Sequence, residues 1–545
     1  MHIQLGIDAD GALRNLRYAF TDRFTLVSEL LQNARRAQAR QIVVEHDPAA
    51  RRLSVHDDGH GITDFRQLLQ VHSSGWDTAL QAQEHPFGVG FAKCLFAATR
   101  CVVHSRHLRA DIDTADALRQ APCEVVATDT VCEGTHIELH GVDLPDLAER
   151  METLCQGFPV DVRFNGIWLR RRHAVDKLVF ETTPIGAVHL AGRHDGKATR
   201  GTLVFLQGFC VSAPAYLECD RANIVHLDPA AFTARLPDRD RLIDADQQLE
   251  RVRTQLRECW RQVLAREQAR IAAASFVATF YNAMRCWNHL ALLDGMDALP
   301  RELFERIGGY PVQTPAFFRS FMDPVAVPPC RDDIASGTVR VVALDPLHPQ
   351  NAAHWMLARA LRWLVVKPYG LDASHWLQRH IDPLDMLPAD VEPVEPLAHA
   401  WFEGRRCRVQ LVLCRSVRIR IGAHEAEVLD AGVVHADSIL LPLGECSGEP
   451  VRQYCDFLDE RDQHQDADMA ADRDALAEQL RHLRSTDARA TLAALLAELR
   501  LGSYPLLHGK AFALRVGTGA APGCSVDDLA DVDGDSTVGE AHAQR

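Results

Sequence analysis

Glu29-Leu30-Leu31-Gln32-Asn33-Ala34 lies within a run, 23–39, whose apolar side chains return at helical spacing: Phe24, Val27, Leu30, Leu31, Ala34 and Ala37. The spacing predicts a helix, and on it Glu29 and Asn33 stand four apart, so both project from one face. A carboxylate there can take a proton from water. An amide oxygen one turn on is a neutral ligand of the kind Mg²⁺ accepts. The plainer reading is an amphipathic helix whose Glu and Asn face solvent.

Three further segments follow in order. Gln41–Glu45 and Arg52–His56 read as strands joined by a turn at Asp47-Pro48, and the second runs into Asp57-Asp58-Gly59-His60-Gly61-Ile62. A carboxylate at a strand end accepts a hydrogen bond from an exocyclic amine such as that of adenine. Gly59 and Gly61 lack Cβ atoms and let a ring or ribose approach the backbone, although Asp-Gly is also a common solvent turn. Phe87-Gly88-Val89-Gly90-Phe91 precedes Ala92-Lys93-Cys94, which reads as the start of a helix. Free N–H groups at such a start can face a phosphate. Lys93 could reach the same group, or simply snorkel from a surface helix. Gly134-Thr135 opens an alternating strand to Leu139, where the Thr hydroxyl can brace Asp57 or a buried water.

Taken in this order, the four segments resemble the motifs of the GHKL superfamily, which includes the DNA gyrase B subunit, heat shock protein 90 chaperones, histidine kinases and MutL proteins. Residues 29–34 look like its asparagine box and 57–62 like its first glycine box; 85–91 are similar to the chaperone branch, and 134–135 to the closing Gly-Thr element. The resemblance implies an α/β multidomain protein with an N-terminal left-handed α/β sandwich of the Bergerat type. It implies ATP and Mg²⁺ as ligands, Glu29 as general base, Asn33 as the Mg²⁺ ligand and Asp57 as the adenine contact. Gly59, Gly61, Ile62, Gly88, Val89, Gly90, Phe91, Lys93 and Thr135 would line the nucleotide, and residues 63–86 would form a lid. One departure is Arg36, where family members carry an acid; it adds repulsion toward a metal or a new phosphate contact.

A second domain, ribosomal-protein-like and acting as a transducer, is implied for 146–270. Phe158–Phe164, a turn at Asn165-Gly166 and Ile167–Leu169 read as a hairpin, Gly201–Gln207 as a strand, and Asp240 to about Ala283 as one long helix. Arg239 is the candidate for completing the site from this domain, with Arg241 and Arg235 beside it. An N-cap at Asp238 flanked by surface arginines is the plain alternative. Beyond, 271–400 reads as mainly helical, 401–515 as mixed β/α, and 516–545 as a disordered acidic tail. The ATP-binding domain itself is expected over 1–145.

Composition narrows the class. The 545 residues carry a net charge of −15, which argues against broad, charge-driven nucleic-acid binding. Local basic stretches remain at Arg163 with Arg170–Arg172 and at Arg405–Arg408, as a groove or as charged strand edges. Fifteen cysteines without a framework fit reduced thiols, and neither a leader nor a membrane-length apolar run is legible. The expectation is a cytoplasmic ATPase, homodimeric, with a protein client or partner. A DNA-transaction ATPase or a scaffold that barely hydrolyses are the alternatives. A histidine kinase is disfavoured, because the ATP motifs sit at the extreme N-terminus with no space for a phosphoacceptor helix pair.

Overall fold

One helix decides where the first sheet lies. In a computed structural model, α1 (Thr25–Arg36) buries Leu26, Val27, Leu30 and Leu31, each 3% exposed or less. Its N-cap, Phe24, makes no side-chain cap hydrogen bond. A cap contributes about 1 kcal/mol, whereas each buried Leu or Val contributes about 1.5–3 kcal/mol, so packing rather than capping holds this helix. The described residues are 11, 13, 23–70, 76, 88, 90–215, 221–235, 240–312, 321–344, 347, 349–461, 463–517 and 523–528.

The sheet under α1 has six strands: β1 (Gln41–Asp47), β2 (Arg52–Asp57), β3 (Arg100–Asp113), β4 (Val125–His140), β5 (Asp161–Phe164) and β6 (Ile167–Trp168), in the order β3-β4-β2-β1-β5-β6. Pairing is antiparallel except where β5 runs parallel to β1. Alternate residues point to the core: Ile42 and Val44, Leu53 and Val55, Cys101 and Val103, Ile137 and Leu139, Val162 and Phe164. Among the described residues, two short helices, α2 (Ala92–Ala97) and α3 (Thr114–Leu118), and α4 (Leu147–Cys155) accompany this sheet. The hairpin at 161–168 forms as its sequence predicts, but it joins the edge of the first sheet rather than the second. Its Val162 and Phe164 are inward apolar residues that the core beside Ile42 and Val44 takes up.

A second mixed sheet contains β7 (Glu181–Thr183), β8 (Gly186–His189), β9 (Thr202–Leu206), β10 (Phe209–Ser212) and β11 (Asn223–Leu227), ordered β10-β9-β11-β8-β7. The expected long helix is two, α5 (Ala245–Arg270) and α6 (Ala273–Cys286). Ile271 and Ala272 between them are extended, a break that the continuing apolar pattern conceals.

His173 stacks on Phe205 in this region, and His226 stacks on the same ring. Burial, with Arg172 and neighbouring histidines adding to it, pushes the His173 imidazole down to about 4. The unfolded chain therefore binds one more proton than the folded chain between pH 6.5 and about 4. This contribution to stability is complete above pH 6.5 and is lost as pH falls toward about 4. Allowing for the ring's partial exposure, it is on the order of 1–2 kcal/mol. Urea unfolding followed over this range should show the loss, and His173→Phe should flatten it.

The chain divides into two compact units, the first formed by 1–303, 326–335 and 367–379, the second by 304–325, 336–366 and 380–545. The second has a five-stranded sheet of β12 (Phe304–Ile307), β13 (Met322–Pro324), β14 (Val341–Ala343), β15 (Leu364–Val366) and β16 (Ile381–Pro383). It also has a long antiparallel pair, β17 (Ala389–Glu403) and β18 (Arg408–Ile421), extended by β19 (His424–Val428), β20 (Val433–His435) and β21 (Ser438–Pro442). Residues 271–400, read as mainly helical, hold this five-stranded sheet as well as α6 and several shorter helices. Strands of three or four residues are too short for alternation to register, and only α7 (Ala352–Ala360) is a helix of length within 304–400 among the described residues. After α8 (Pro450–Tyr454) come α9 (Asp466–Leu483) and α10 (Ala488–Glu498). Part of the supposed tail is ordered as a ribbon, β22 (Phe512–Val516) against β23 (Cys524–Asp528), while 529–545 lie outside the described residues. Among the described residues no helix is long and apolar enough to cross a membrane.

Candidate active site

The end of α1 is stitched to the turn after β2. Asp58 Oδ1 accepts from the amides of Arg40 (2.7 Å) and Gln41 (2.9 Å), and the His60 N–H donates to Ala37 O at 2.9 Å. A Cβ on Gly59 would stand 2.7 Å from Ala37 O and 2.8 Å from Asp57 Oδ1. Of the Asp57-Asp58 pair, Asp58 is therefore the exposed structural residue and Asp57 the buried one, 8% exposed. Asp57 Oδ1 accepts from the Gly59 N–H at 2.9 Å. Burial raises the Asp57 carboxyl above its ordinary value, an effect opposed by that N–H and by His56.

Asp57, Thr135 and Ser105 stand in one row across β2, β4 and β3. Ser105, fully buried, donates its hydroxyl to Gly134 O (2.5 Å), accepts from the Ile62 N–H (2.8 Å) and lies 3.2 Å from Thr135 Oγ1. It ties the glycine turn to the Gly-Thr element. Gly61 and Gly134 both have positive φ, +72° and +69°, and a Cβ on Gly134 would sit 1.9 Å from Asp57 O. The tightness around Gly59, Gly61 and Gly134 is chain against chain, whereas the sequence suggests room for a ring or ribose. Arg106 closes the turn from outside by donating to His60 O.

Glu29 faces the second glycine loop. A Cβ on Gly90 would lie 2.4 Å from Glu29 Oε2, so glycine is the residue that fits there. Lys93 is buried, with its side chain 4% exposed and Nζ 3.9 Å from Glu29 Oε1. Of the two readings of Lys93, the snorkelling surface lysine is the one this excludes: α2 is only six residues long and turns Lys93 inward with Ala92, Cys94 and Leu95. Asn33 is half-buried on the same ridge as Glu29. Gly88 has positive φ (+65°), Ile62 and Phe91 pack at the margin of the core, and Val89 lies outside the described residues. Arg36 is buried at the end of α1.

Two residues beyond the motifs belong to this neighbourhood. Gln32, 2% exposed, donates through Nε2 to Gln207 Oε1 at 2.5 Å, and Arg35 Nε donates to Gln32 Oε1 at 3.1 Å. Gln207 has φ +53° in the turn joining β9 to β10, so the residue preceding Asn33 touches the second sheet directly. Ser105 had a signal in the sequence. After Cys101 and Val103, it is the next inward position of β3, and a polar residue there must be hydrogen-bonded. Gln207 had none, because its partner is 175 positions away.

Arg239 lies outside the described residues. Its neighbours Arg235 and Arg241 both engage Asp240, and the Arg235 N–H donates to Arg241 O at 2.7 Å, closing the loop on itself. Of the expected lid, 63–70 and Trp76 are described. Phe65 is buried in the core, so the segment is anchored at its start, and the Trp76 ring lies 6.1 Å from that of His60.

No curated protein matches the chain. Among solved structures it is similar to the ATPase region of Saccharomyces cerevisiae topoisomerase II bound to ICRF-187 (dexrazoxane), at 12% identity over 34% of this chain and with a TM-score of 0.25. The match spans 62% of that structure's length. Residues 21–121, which contain Glu29, Asn33, Asp57, both glycine loops and Lys93, match the model of the family described as histidine kinase-, DNA gyrase B-, and HSP90-like ATPase.

Proposed function

We propose that this chain binds Mg·ATP at the Glu29–Asp57 site and hydrolyses it slowly, coupling nucleotide state to a conformational change as a chaperone-like or clamp ATPase. The observation that carries the reading is the buried pair of Glu29 and Lys93 beneath Gly90. Burying two charges costs several kcal/mol per ion, so a core position gains little from such a pair. Beside a glycine loop the same pair supplies what hydrolysis of a polyphosphate requires: a cation for the anion and a carboxylate for the proton of water.

In this reading Asp57 accepts from the adenine amine, and Thr135 and Ser105 hold its strand end. Lys93 turns from Glu29 toward the phosphates, leaving the carboxylate to take a proton from the attacking water. Asn33, with its neutral oxygen on the same ridge, would hold Mg²⁺, which when bound offsets phosphate charge. Gln32 and Gln207 pass the position of α1 to the second sheet, and Arg239 is the proposed contribution from that region. A homodimer acting on a protein client follows from the resemblance to the chaperone branch.

A protein partner is favoured over nucleic acid by what has become of the second basic stretch. Arg405 and Arg406 pair with Asp468, and Arg408 pairs with Glu403. The purified chain should bind ATP with Mg²⁺ and release phosphate, both measured at about 50 and 200 mM salt with and without DNA. Absent nucleotide binding defeats the reading. Binding without phosphate release leaves a nucleotide-dependent scaffold, and release stimulated by DNA in a salt-dependent way indicates a DNA-transaction ATPase.

A further inference from the structure

The last two helices of the second unit carry a cluster with no part in the site above. α9 turns Leu476 and Leu480 inward, both fully buried. Glu478 and His482, four apart on that helix, stand together on another ridge. Glu498, the last residue of α10, comes against them, with His482 Nε2 3.9 Å from Glu498 Oε1. One ligand atom from each of the three lies within 4.8 Å of the other two, the single such His/Cys/Asp/Glu group among the described residues.

Three physical facts call for a cation here. His482 Nε2 is shut off from solvent and has no hydrogen-bond partner. Glu498 ends a helix, where unpaired carbonyls already make the potential negative, and Glu478 faces it. Finally, α10 buries none of its 11 residues, although an isolated helix shorter than about 12–15 residues is marginal in water. Its packing does not account for its order.

We propose that Glu478, His482 and Glu498 bind one divalent transition-metal ion of the Zn²⁺ class, which ties α10 to α9. An imidazole with two carboxylates suits Zn²⁺, whereas Mg²⁺ and Ca²⁺ take oxygen donors. In the tetrahedral geometry zinc takes, two donors at about 2.0–2.2 Å from the ion stand about 3.3–3.6 Å apart. The His482–Glu498 separation of 3.9 Å is a few tenths of an ångström wider, a gap that side-chain rotation closes. Water fills the remaining positions. The competing reading is a direct contact between His482 and Glu498 with no metal between them.

The test uses the full chain after chelation, with zinc content and hydrogen exchange of 488–498 as readouts. One equivalent of Zn²⁺ should slow exchange there at least tenfold, and equal Mg²⁺ should not. His482→Ala should lose one zinc per chain and the slowing, as should the near-isosteric Glu498→Gln, which guards against a hairpin lost for other reasons. Counting the difference between variants removes zinc held by the 15 cysteines. Equal zinc content and exchange in all three proteins would overturn the proposal. So would exchange that is already slow in chelator and that added zinc leaves unchanged.

Discussion

Replacing Glu29 by Gln should suppress ATP hydrolysis by at least about a hundredfold, the usual scale for a lost general base, while nucleotide affinity changes only a few-fold. Gln is the better probe than Ala. Glu29 is packed against Gly90 and its carboxylate stands beside the buried Lys93 ammonium. Truncation would open a void and strand a buried charge, a combination that destabilises by several kcal/mol. Gln keeps the volume and offers Lys93 an amide oxygen, but it cannot accept the proton. Single-turnover phosphate release and equilibrium ATP binding are the two measurements. Hydrolysis at the wild-type rate in the Glu29→Gln protein would remove Glu29 from the chemistry and leave the site as a binding pocket.

Asp57→Asn should act on the other half of the same site, weakening adenine nucleotides by about ten- to a hundredfold, the equivalent of a charged hydrogen bond worth about 1.5–3 kcal/mol. The fold should survive. Asp57 Oδ1 accepts from the Gly59 N–H at 2.9 Å, and the Asn oxygen can keep that contact. The second carboxylate oxygen then becomes an NH₂ group, a donor facing the donor amine of adenine. Calorimetric titration with ADP and ATP reads the loss, and thermal unfolding confirms that the protein is intact. Unchanged affinity would show that Asp57 is only a strand-end brace for the Gly59 turn. The two variants separate binding from chemistry, since each is expected to move one and spare the other.

Several features were legible before any fold. Periodicity placed α1 and the Asp57 strand end, and the Asn165-Gly166 turn placed the hairpin at 161–168, because these signals are local. The order of the four motifs pointed to an ATP-binding domain. Other readings failed for definable reasons. The break at Ile271–Ala272 is a switch of only two residues to extended backbone, too short to mark the sequence. The strands Val341–Ala343 and Leu364–Val366 are shorter than two full alternations, so they read as fragments of helix or loop.

What the amino-acid order determined by itself is the chemistry on offer: a carboxylate and an amide one turn apart, two aspartates before a glycine turn, and a lysine after a glycine loop. Tertiary structure decided which of these groups face one another. It selected Asp57 over Asp58, turned Lys93 inward against Glu29, brought Ser105 into the row of Asp57 and Thr135, and joined Gln32 to Gln207. The physical reason is range. Helical and strand periods repeat within a few residues and leave their mark on any short window. Strand register and the burial of a charge depend on partners tens to hundreds of positions away, which no local pattern encodes.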